Sequence, residues 1–337
     1  MKVLITGGAG YIGSTICSDL IDHGHTPIIL DSLITGKKEF TKDRIFYHAD
    51  IADEAALEQI FTDHPDIEAC IHLAALIIVP ESVAMPQDYY VNNVCKSITL
   101  FKKLHDLGCS RIVFSSSASV YGTSDNFVVT EESPLNPISP YARTKYMMEM
   151  ILKDFCTAYE MRGIALRYFN PIGADPQMRT GLHVRYPSLV LGKMVDTVLG
   201  KYEYFGITGT DYPTRDGTGI RDYVHVWDLA EAHVMAVTQF DEVFERAGDP
   251  EDNYLVINLG TGNGCTVREL VDAFEHVYGE QLPQKDMPPR PGDQGGAYAN
   301  CDRAKDWIGW EPKLSLEDGI SDALKWAKKR KEILGYE

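Results

Sequence analysis

Tyr141 and Lys145 form the single Tyr-x-x-x-Lys of the sequence. Spacing of four places both side chains on one face of a helix, and Pro140 just before Tyr141 suits a first helical turn. A phenol is a poor base near neutral pH, since its ordinary pKa is about 10. A neighbouring ammonium stabilises the phenolate and draws that value down, which would equip Tyr141 to take a proton from an alcohol. On its own the pair reads better as a helix-surface contact. Just upstream, Phe114-Ser115-Ser116-Ser117-Ala118-Ser119-Val120-Tyr121-Gly122 reads as a strand end opening into small hydroxyl side chains. Strand carboxyl ends line the ligand crevice of a parallel sheet, so Ser117 is either a second reactive candidate or a loop former.

The glycines of Gly7-Gly8-Ala9-Gly10-Tyr11-Ile12-Gly13 stand between a first apolar run and a first helical segment. A turn there needs residues without Cβ so that backbone N–H groups and a helix N-terminus can approach a pyrophosphate. Asp31 ends the second apolar run, placed to accept from both hydroxyls of an adenosine ribose, and its carboxylate would repel a 2′-phosphate. The pair of signals favours NAD over NADP. The plainer readings are a tight turn and, for Asp31, a turn residue beside Ser32 and Gly36.

These candidates need a scaffold that brings strand ends together. Lys2–Thr6, Thr26–Leu30, Ile45–His48, Cys70–Leu73, Arg111–Ser115 and Gly163–Tyr168 have the apolar, β-branched character of buried strands. Gly13–His23, Glu54–Asp63, Gln87–Leu107 and Ser139–Met161 alternate with them at helical period. This β-α-β order predicts a Rossmann-type doubly wound parallel α/β sheet over residues 1–172. Past that point the pattern loosens, then resumes at Tyr223–His225, a helix from Trp227 and a strand at Tyr254–Leu259. The chain is expected to rejoin the first domain at about 223–236 and 254–260. Residues 173–222 and 261–337 are left for a smaller α+β substrate lobe, with helices at Val267–Tyr278 and Leu316–Leu334.

With 337 residues, 44% hydrophobic and 24% charged, the chain can bury a full core and is neither disordered nor fibrous. Its net charge of −17 repels phosphate backbones and anionic lipid, so neither nucleic acid nor membrane is an expected partner. Cys17, Cys70, Cys95, Cys109, Cys156, Cys265 and Cys301 lack CxxC or zinc-type spacing, which predicts thiols of a reducing compartment and no metal site. The start Met1-Lys2-Val3-Leu4-Ile5 has no signal-peptide pattern, and a cytoplasmic location is expected.

Together these segments resemble the extended short-chain dehydrogenase/reductases and, within them, the UDP-glucose 4-epimerases. The resemblance runs over nearly the whole chain: the glycine turn, Asp50-Ile51 after the third strand, Ser115 to Gly122, Tyr141 with Lys145, Arg167-Tyr168-Phe169-Asn170-Pro171, and Asp211 to Val226 containing Arg221. It implies Ser117, Tyr141 and Lys145 as the catalytic set. It further implies an NAD site built from Gly7, Gly10, Tyr11, Ile12, Gly13, Asp31, Ser32, Asp50, Ile51, Leu73, Ala74, Ala75, Asn92, Ser115, Tyr141, Lys145, Tyr168 and Phe169. For a UDP-sugar it implies Ser117, Tyr141, Asn170, Phe205, Arg221, Arg290 and Asp293, the arginines suiting a diphosphate through bidentate geometry. By the same resemblance the helices at Gln87–Leu107 and Ser139–Met161 would pair two copies into a homodimer.

The sequence departs from the family in places. Leu73-Ala74-Ala75-Leu76-Ile77 lacks the lysine of some epimerases, Cys95-Lys96-Ser97 replaces a usual Asn/Gly turn, and Val184-Arg185-Tyr186-Pro187 stands where the substrate loop often reads Asn-Leu-x-Pro. A tyrosine that narrows some family pockets against an N-acetyl group aligns near Ala297, or Tyr298 with a register slip, leaving UDP-N-acetylhexosamines and UDP-pentoses open. Other readings are a nucleotide-sugar 4,6-dehydratase, against which Ser117-Ala118-Ser119 offers no carboxyl pair, and a non-catalytic NAD-sensing regulator, which would not need Tyr141 and Lys145.

Overall fold

The chain's apolar runs pair into one seven-stranded parallel sheet, seen in a computed structural model that describes residues 1–122, 124, 126–249, 251–289 and 295–336. Its strands are β1 (Lys2–Thr6), β2 (Thr26–Asp31), β3 (Ile45–His48), β4 (Ile67–His72), β5 (Arg111–Ser115), β6 (Arg162–Tyr168) and β7 (Tyr254–Leu259). They lie in the order β7-β6-β5-β4-β1-β2-β3, so the winding reverses between β1 and β4. A doubly wound sheet places its ligand crevice at that reversal, outside the strand carboxyl ends. Helices cover both faces, which is why the strands read as continuous apolar runs.

Side chains alternate across the sheet. Val3, Ile5, Ile29, Ile71, Val113 and Ile164 join one buried cluster. Leu4, Ile28, Leu30, Cys70, Ile112, Phe114 and Ala165 join the other. The first packs against helices α1 (Tyr11–Asp22) and, later in the chain, Val226–Thr238; the second packs against Glu54–Asp63, Lys96–Asp106 and Pro140–Ala158. A third buried cluster gathers Leu191, Met194, Phe205, Ile207, Leu270 and Phe274. A parallel pair, Phe205–Thr208 with Gln284–Met287, adjoins it. A second small sheet joins Cys265–Thr266, Ile220–Arg221, Gly296–Ala299 and Val128–Val129.

The expected single helix over 87–107 is three pieces: Pro86–Tyr90, a π turn at Val91–Cys95, and Lys96–Asp106. Asn92 and Asn93 sit in that turn. Asparagine side chains compete for backbone hydrogen bonds inside a helix, and Asn93 shows the competition: its Oδ1 accepts from Leu76 N at 2.8 Å and its Nδ2 donates to Leu76 O at 2.9 Å. The expected strand at Cys70–Leu73 instead begins at Ile67 and ends at His72.

After β1 the chain turns on Gly7, whose φ of 74° is left-handed. A Cβ on Gly13 would lie 2.3 Å from Gly7 O, and one on Gly7 would lie 2.8 Å from Ala74 N. Beneath the turn, His72 is buried with Nδ1 2.7 Å from Thr6 Oγ1 and Nε2 2.9 Å from Ser97 Oγ. The Ser97 hydroxyl donates to Asn93 O at 2.9 Å. Its proton being committed, Nε2 of His72 must donate to Ser97 and Nδ1 must accept from Thr6. Burial pulls His72 down to about 3, with the nearby Lys145 charge acting in the same direction.

Two expectations follow. Gly13→Ala should cost about 2 kcal/mol or more, since backbone must move to admit the methyl group, and urea titration of the two proteins measures it. For His72 the folded-state value lies below the unfolded value of about 6.5, so the unfolded chain takes up the proton first and stability is lost as pH falls below that value. Between pH 7 and pH 5 this amounts to about 2 kcal/mol. His72→Asn should therefore show a stability gap to the parent that narrows by that amount on acidification; a constant gap would mean that the imidazole titrates alike in both states.

Candidate active site

The catalytic candidates converge because two elements end at the same place. The helix Pro140–Ala158 is started by Ser139, whose hydroxyl accepts from Ala142 N at 3.1 Å, with Pro140 in the first turn. That start sets Tyr141 and Lys145 on the face toward the end of β5. Lys145 Nζ donates to Ser115 O at 2.7 Å and lies 5.1 Å from the centre of the Phe114 ring. Ser117 leaves β5 in extended conformation, accepts from Ser119 N at 3.2 Å and stands beside the Tyr141 phenol. All three side chains are buried.

Burial pushes the Tyr141 phenol above its ordinary value, and the neighbouring Ser117 hydroxyl pulls it back. Burial draws the Lys145 ammonium down to about 8, opposed by the Glu149 carboxylate one turn further along the helix. The two proton affinities thus move apart, the phenol rising while the ammonium falls, so burial outweighs the downward pull on Tyr141 that the lysine's spacing led us to expect.

Each serine at the strand end has its own anchor. Ser115 Oγ is 2.8 Å from His233 Nε2, and His233 Nδ1 is 2.7 Å from Leu229 O. A carbonyl only accepts, so Nδ1 carries the proton and Ser115 donates to Nε2. Burial lowers His233 to about 4, keeping it neutral. The Tyr168 phenol lies next to Ser115. Ser116 points to the other face and donates to Glu149 Oε1.

The glycine turn, Asp31 and the strip after β4 surround the adjacent crevice. Asp31 Oδ2 accepts from Ala9 N at 3.0 Å and Oδ1 from Leu33 N at 2.8 Å, while a Cβ on Gly36 would come within 3.0 Å of both oxygens. Leu73 N donates to Thr6 O and Ala74 N to Thr6 Oγ1, and Ala75 continues the strip. Tyr11 donates to Gly173 O at 2.6 Å and Ile12 packs into the first core cluster. The carbonyl of Ser32 lies 3.2 Å from His48 Nε2. Asp50 pairs with Lys96 at 2.5 Å beside buried Ile51. Asn92 donates to Asn93 Oδ1 at 3.1 Å. A glycine cradle that a Cβ would fill, closed by a carboxylate at the second strand end, fits a dinucleotide.

Across the crevice, Asn170 N donates to Asp222 O at 3.0 Å, and Phe169 packs near Val120 and Tyr121. Arg221 Nη1 donates to Ile220 O at 2.7 Å and Gly295 O at 3.1 Å. The buried Asp222 carboxylate accepts from Thr261 N, Thr261 Oγ1, Gly262 N and Ala299 N, tying the arginine's strand to the loop after β7. Phe205 is not brought to the catalytic group; it is buried in the third cluster. Arg290 and Asp293 lie outside the described residues. Strand pairing places Ala297 opposite Arg221. Ala297 packs on the small cluster of Val120, Tyr121 and Val129, whereas Tyr298 lies against Gly264, where a Cβ would come within 2.4 Å of its ring. Sequence reasoning missed Glu149, His233 and the bracing role of Asn93; for Glu149 a signal was present, since it stands four residues beyond Lys145 on the same helix face.

Among the described residues no group of three or more His, Cys, Asp or Glu side chains could hold a metal ion, and no helix is long and apolar enough to cross a membrane. Residues 3–257 match the NAD dependent epimerase/dehydratase family. The chain is 43% identical over 336 residues to the UDP-glucose 4-epimerase of Bacillus subtilis (strain 168), covering 97% of this chain and 96% of that one. It is similar, at 36% identity and a TM-score of 0.92, to the UDP-glucose-4-epimerase from Stenotrophomonas maltophila solved with bound NAD and formylated UDP-arabinopyranose, covering 98% and 99% of the two chains. A UDP-Glc/GlcNAc 4-epimerase from Campylobacter jejuni is also similar, at 34% identity and a TM-score of 0.81, covering 97% and 99%. The chain belongs to the NAD-dependent epimerase/dehydratase family.

Proposed function

We propose that this chain interconverts the C4 epimers of a UDP-hexose, UDP-glucose and UDP-galactose, with NAD held in the crevice between β1 and β4. The observation that carries the reading is a buried lysine anchored at 2.7 Å on the carbonyl of Ser115, one helical turn from the buried Tyr141 and beside Ser117. Bound NAD supplies the acceptor and then the donor of the C4 hydride, with a positive charge that favours the phenolate. Tyr141 takes the proton of the C4 hydroxyl as the alcohol becomes a ketone, and returns it when the ketone is reduced. Ser117 bridges phenol and sugar oxygen. Lys145 holds the phenolate by its charge and, as in the family, would reach the cofactor's ribose.

Inversion requires the oxidised sugar to present its other face before reduction, so the protein must grip the nucleotide firmly and the hexose loosely. We assign the diphosphate to Arg221 and Arg290, ribose or uridine to Asp293, and the sugar side to Asn170. Phe205 supports the lobe from its core. The glycine turn takes the pyrophosphate of NAD, with Tyr11, Ile12, Asp31, Ser32, Asp50, Ile51, Leu73, Ala74, Ala75, Asn92, Ser115, Tyr168 and Phe169 around it. In this reading residues 1–172, with 223–236 and 254–260, carry the cofactor, and 173–222 with 261–337 close over the sugar. Half-exposed Val91, Ile98 and Met150 support pairing of two copies through the helices 96–106 and 140–158. Seven free thiols support a reducing, cytoplasmic setting.

A second reading, N-acetylated UDP-hexosamines as additional substrates, is favoured by Ala297: the position paired with Arg221 carries a methyl group, while the neighbouring tyrosine lies against Gly264.

Purified protein given UDP-galactose without added cofactor should form UDP-glucose, followed by the anomeric proton signals in NMR. Tyr141→Phe should lower kcat by two or more orders of magnitude, the usual scale of lost general-base catalysis; near-full turnover would assign the base elsewhere. Ala297→Tyr should cut kcat/KM for UDP-N-acetylglucosamine about tenfold or more while sparing UDP-glucose. Equal losses on both sugars would remove Ala297 from the pocket wall.

A further inference from the structure

The catalytic reading leaves unused a buried ionic network directly behind it. Glu149 and Arg167 are each about 3% exposed. Arg167 Nε donates to Glu149 Oε1 at 2.9 Å and Nη2 to Oε2 at 2.6 Å, a bidentate pair. The Ser116 hydroxyl also donates to Oε1. Arg167 Nη1 donates to the Tyr121 phenol at 2.9 Å, which donates to Asn258 Oδ1 at 2.7 Å. The network joins the helix of the catalytic pair, the end of β5, β6 and β7. Burying two charges is expensive even when they are well paired, and an apolar pair of the same shape would be as stable. Its position suggests what the ions do there. Ser116 is the residue between the carbonyl that holds Lys145 and the hydroxyl that stands beside Tyr141, and Glu149 follows Lys145 by one helical turn.

We propose that Glu149, resting on the proton-transfer reading above, is a positioning residue for the catalytic pair: it fixes Ser116 at the centre of the serine run and sets the charge that Lys145 faces. The groups around Lys145 leave that task to Glu149. From β5 come the Phe114 ring and a carbonyl; from β4 comes His72, held neutral by burial; on its own helix stand Tyr141 and Glu149. Tyr168 of β6 faces Tyr141, and His233 reaches the site through Ser115 as a neutral imidazole. Arg167, paired bidentately with that carboxylate, offsets part of its charge, and the remainder is what Lys145 faces.

Replacing Glu149 by Gln keeps the shape and leaves Arg167 uncompensated. An added positive charge lowers the proton affinity of both Lys145 and Tyr141. The test is the pH profile of kcat for UDP-galactose, with NAD content measured after denaturation. In E149Q both limbs should move to lower pH by about one unit, a tenfold change in proton affinity, and in E149Q/R167M they should move back only part of the way, because the carboxylate that Lys145 faces is still missing. A purely structural role would lower activity or stability and leave the limbs in place, and that result overturns the proposal. If E149Q does not fold, Ser116→Ala decides: kcat should fall about three- to tenfold with KM unchanged, and kinetics equal to the parent would overturn it. An inactive parent protein would instead refute the reading of the reaction itself.

Discussion

A lysine ammonium buried at the edge of a ligand crevice is the constraint around which this structure is organised. A charge taken out of water must be met by partners within the protein or it will lose its proton. Lys145 is met by one carbonyl, one aromatic face and the field of one carboxylate. Each partner sits on a different feature of the fold: the carbonyl at the end of β5, the ring one residue earlier in the strand, the carboxylate one turn along the helix. The three coincide only if the helix starts where Ser139 and Pro140 start it. The serine run then needs its own anchors, because a strand end is released from sheet pairing where it must be most definite. His233 and Glu149 supply them from opposite faces of the strand end.

Much of this frame was legible in the sequence. The strands β1, β3, β5 and β7 and the helices Glu54–Asp63, Val267–Tyr278 and Leu316–Leu334 fall on the expected residues. Period and length identify such elements when both faces or one whole stripe are buried. Tyr141 with Lys145, and the glycine turn, are readable because their chemistry depends on local spacing. What supports them depends on contacts distant in the chain and was hidden: Ser115 meets His233 and Tyr121 meets Asn258 across more than a hundred residues. The broken helix at Val91–Cys95 escaped for the same reason. Two asparagines in sequence signal a weak helix, but nothing local shows that one of them is needed elsewhere.

Charge is arranged on two scales. The net charge of −17 keeps the whole molecule repulsive to polyanions. At the crevice, backbone N–H groups at a helix start and the side chain of Arg221 offer an anion a different local field. Asp222 beside that arginine is occupied by four donors from two other segments. Its carboxylate thus fixes where the strand carrying Arg221 lies relative to the loop after β7.

The strip from Leu73 to Ile78 shows how an irregular segment can be made rigid without joining the sheet. A strand partner would satisfy its backbone but would close the crevice. Asn93 satisfies both polar groups of Leu76 with one side chain, reproducing the two hydrogen bonds of a β-bridge from within a helical turn. The same amide donates to Thr144 Oγ1 at 3.1 Å, next to Lys145. A primary amide has two donors and a carbonyl oxygen, and this one uses all of them. The strip beside the glycine turn and the helix bearing the phenol are therefore held by a single planar group. A displacement of either element would break hydrogen bonds to the other, and two sides of the crevice keep their relative position for that reason.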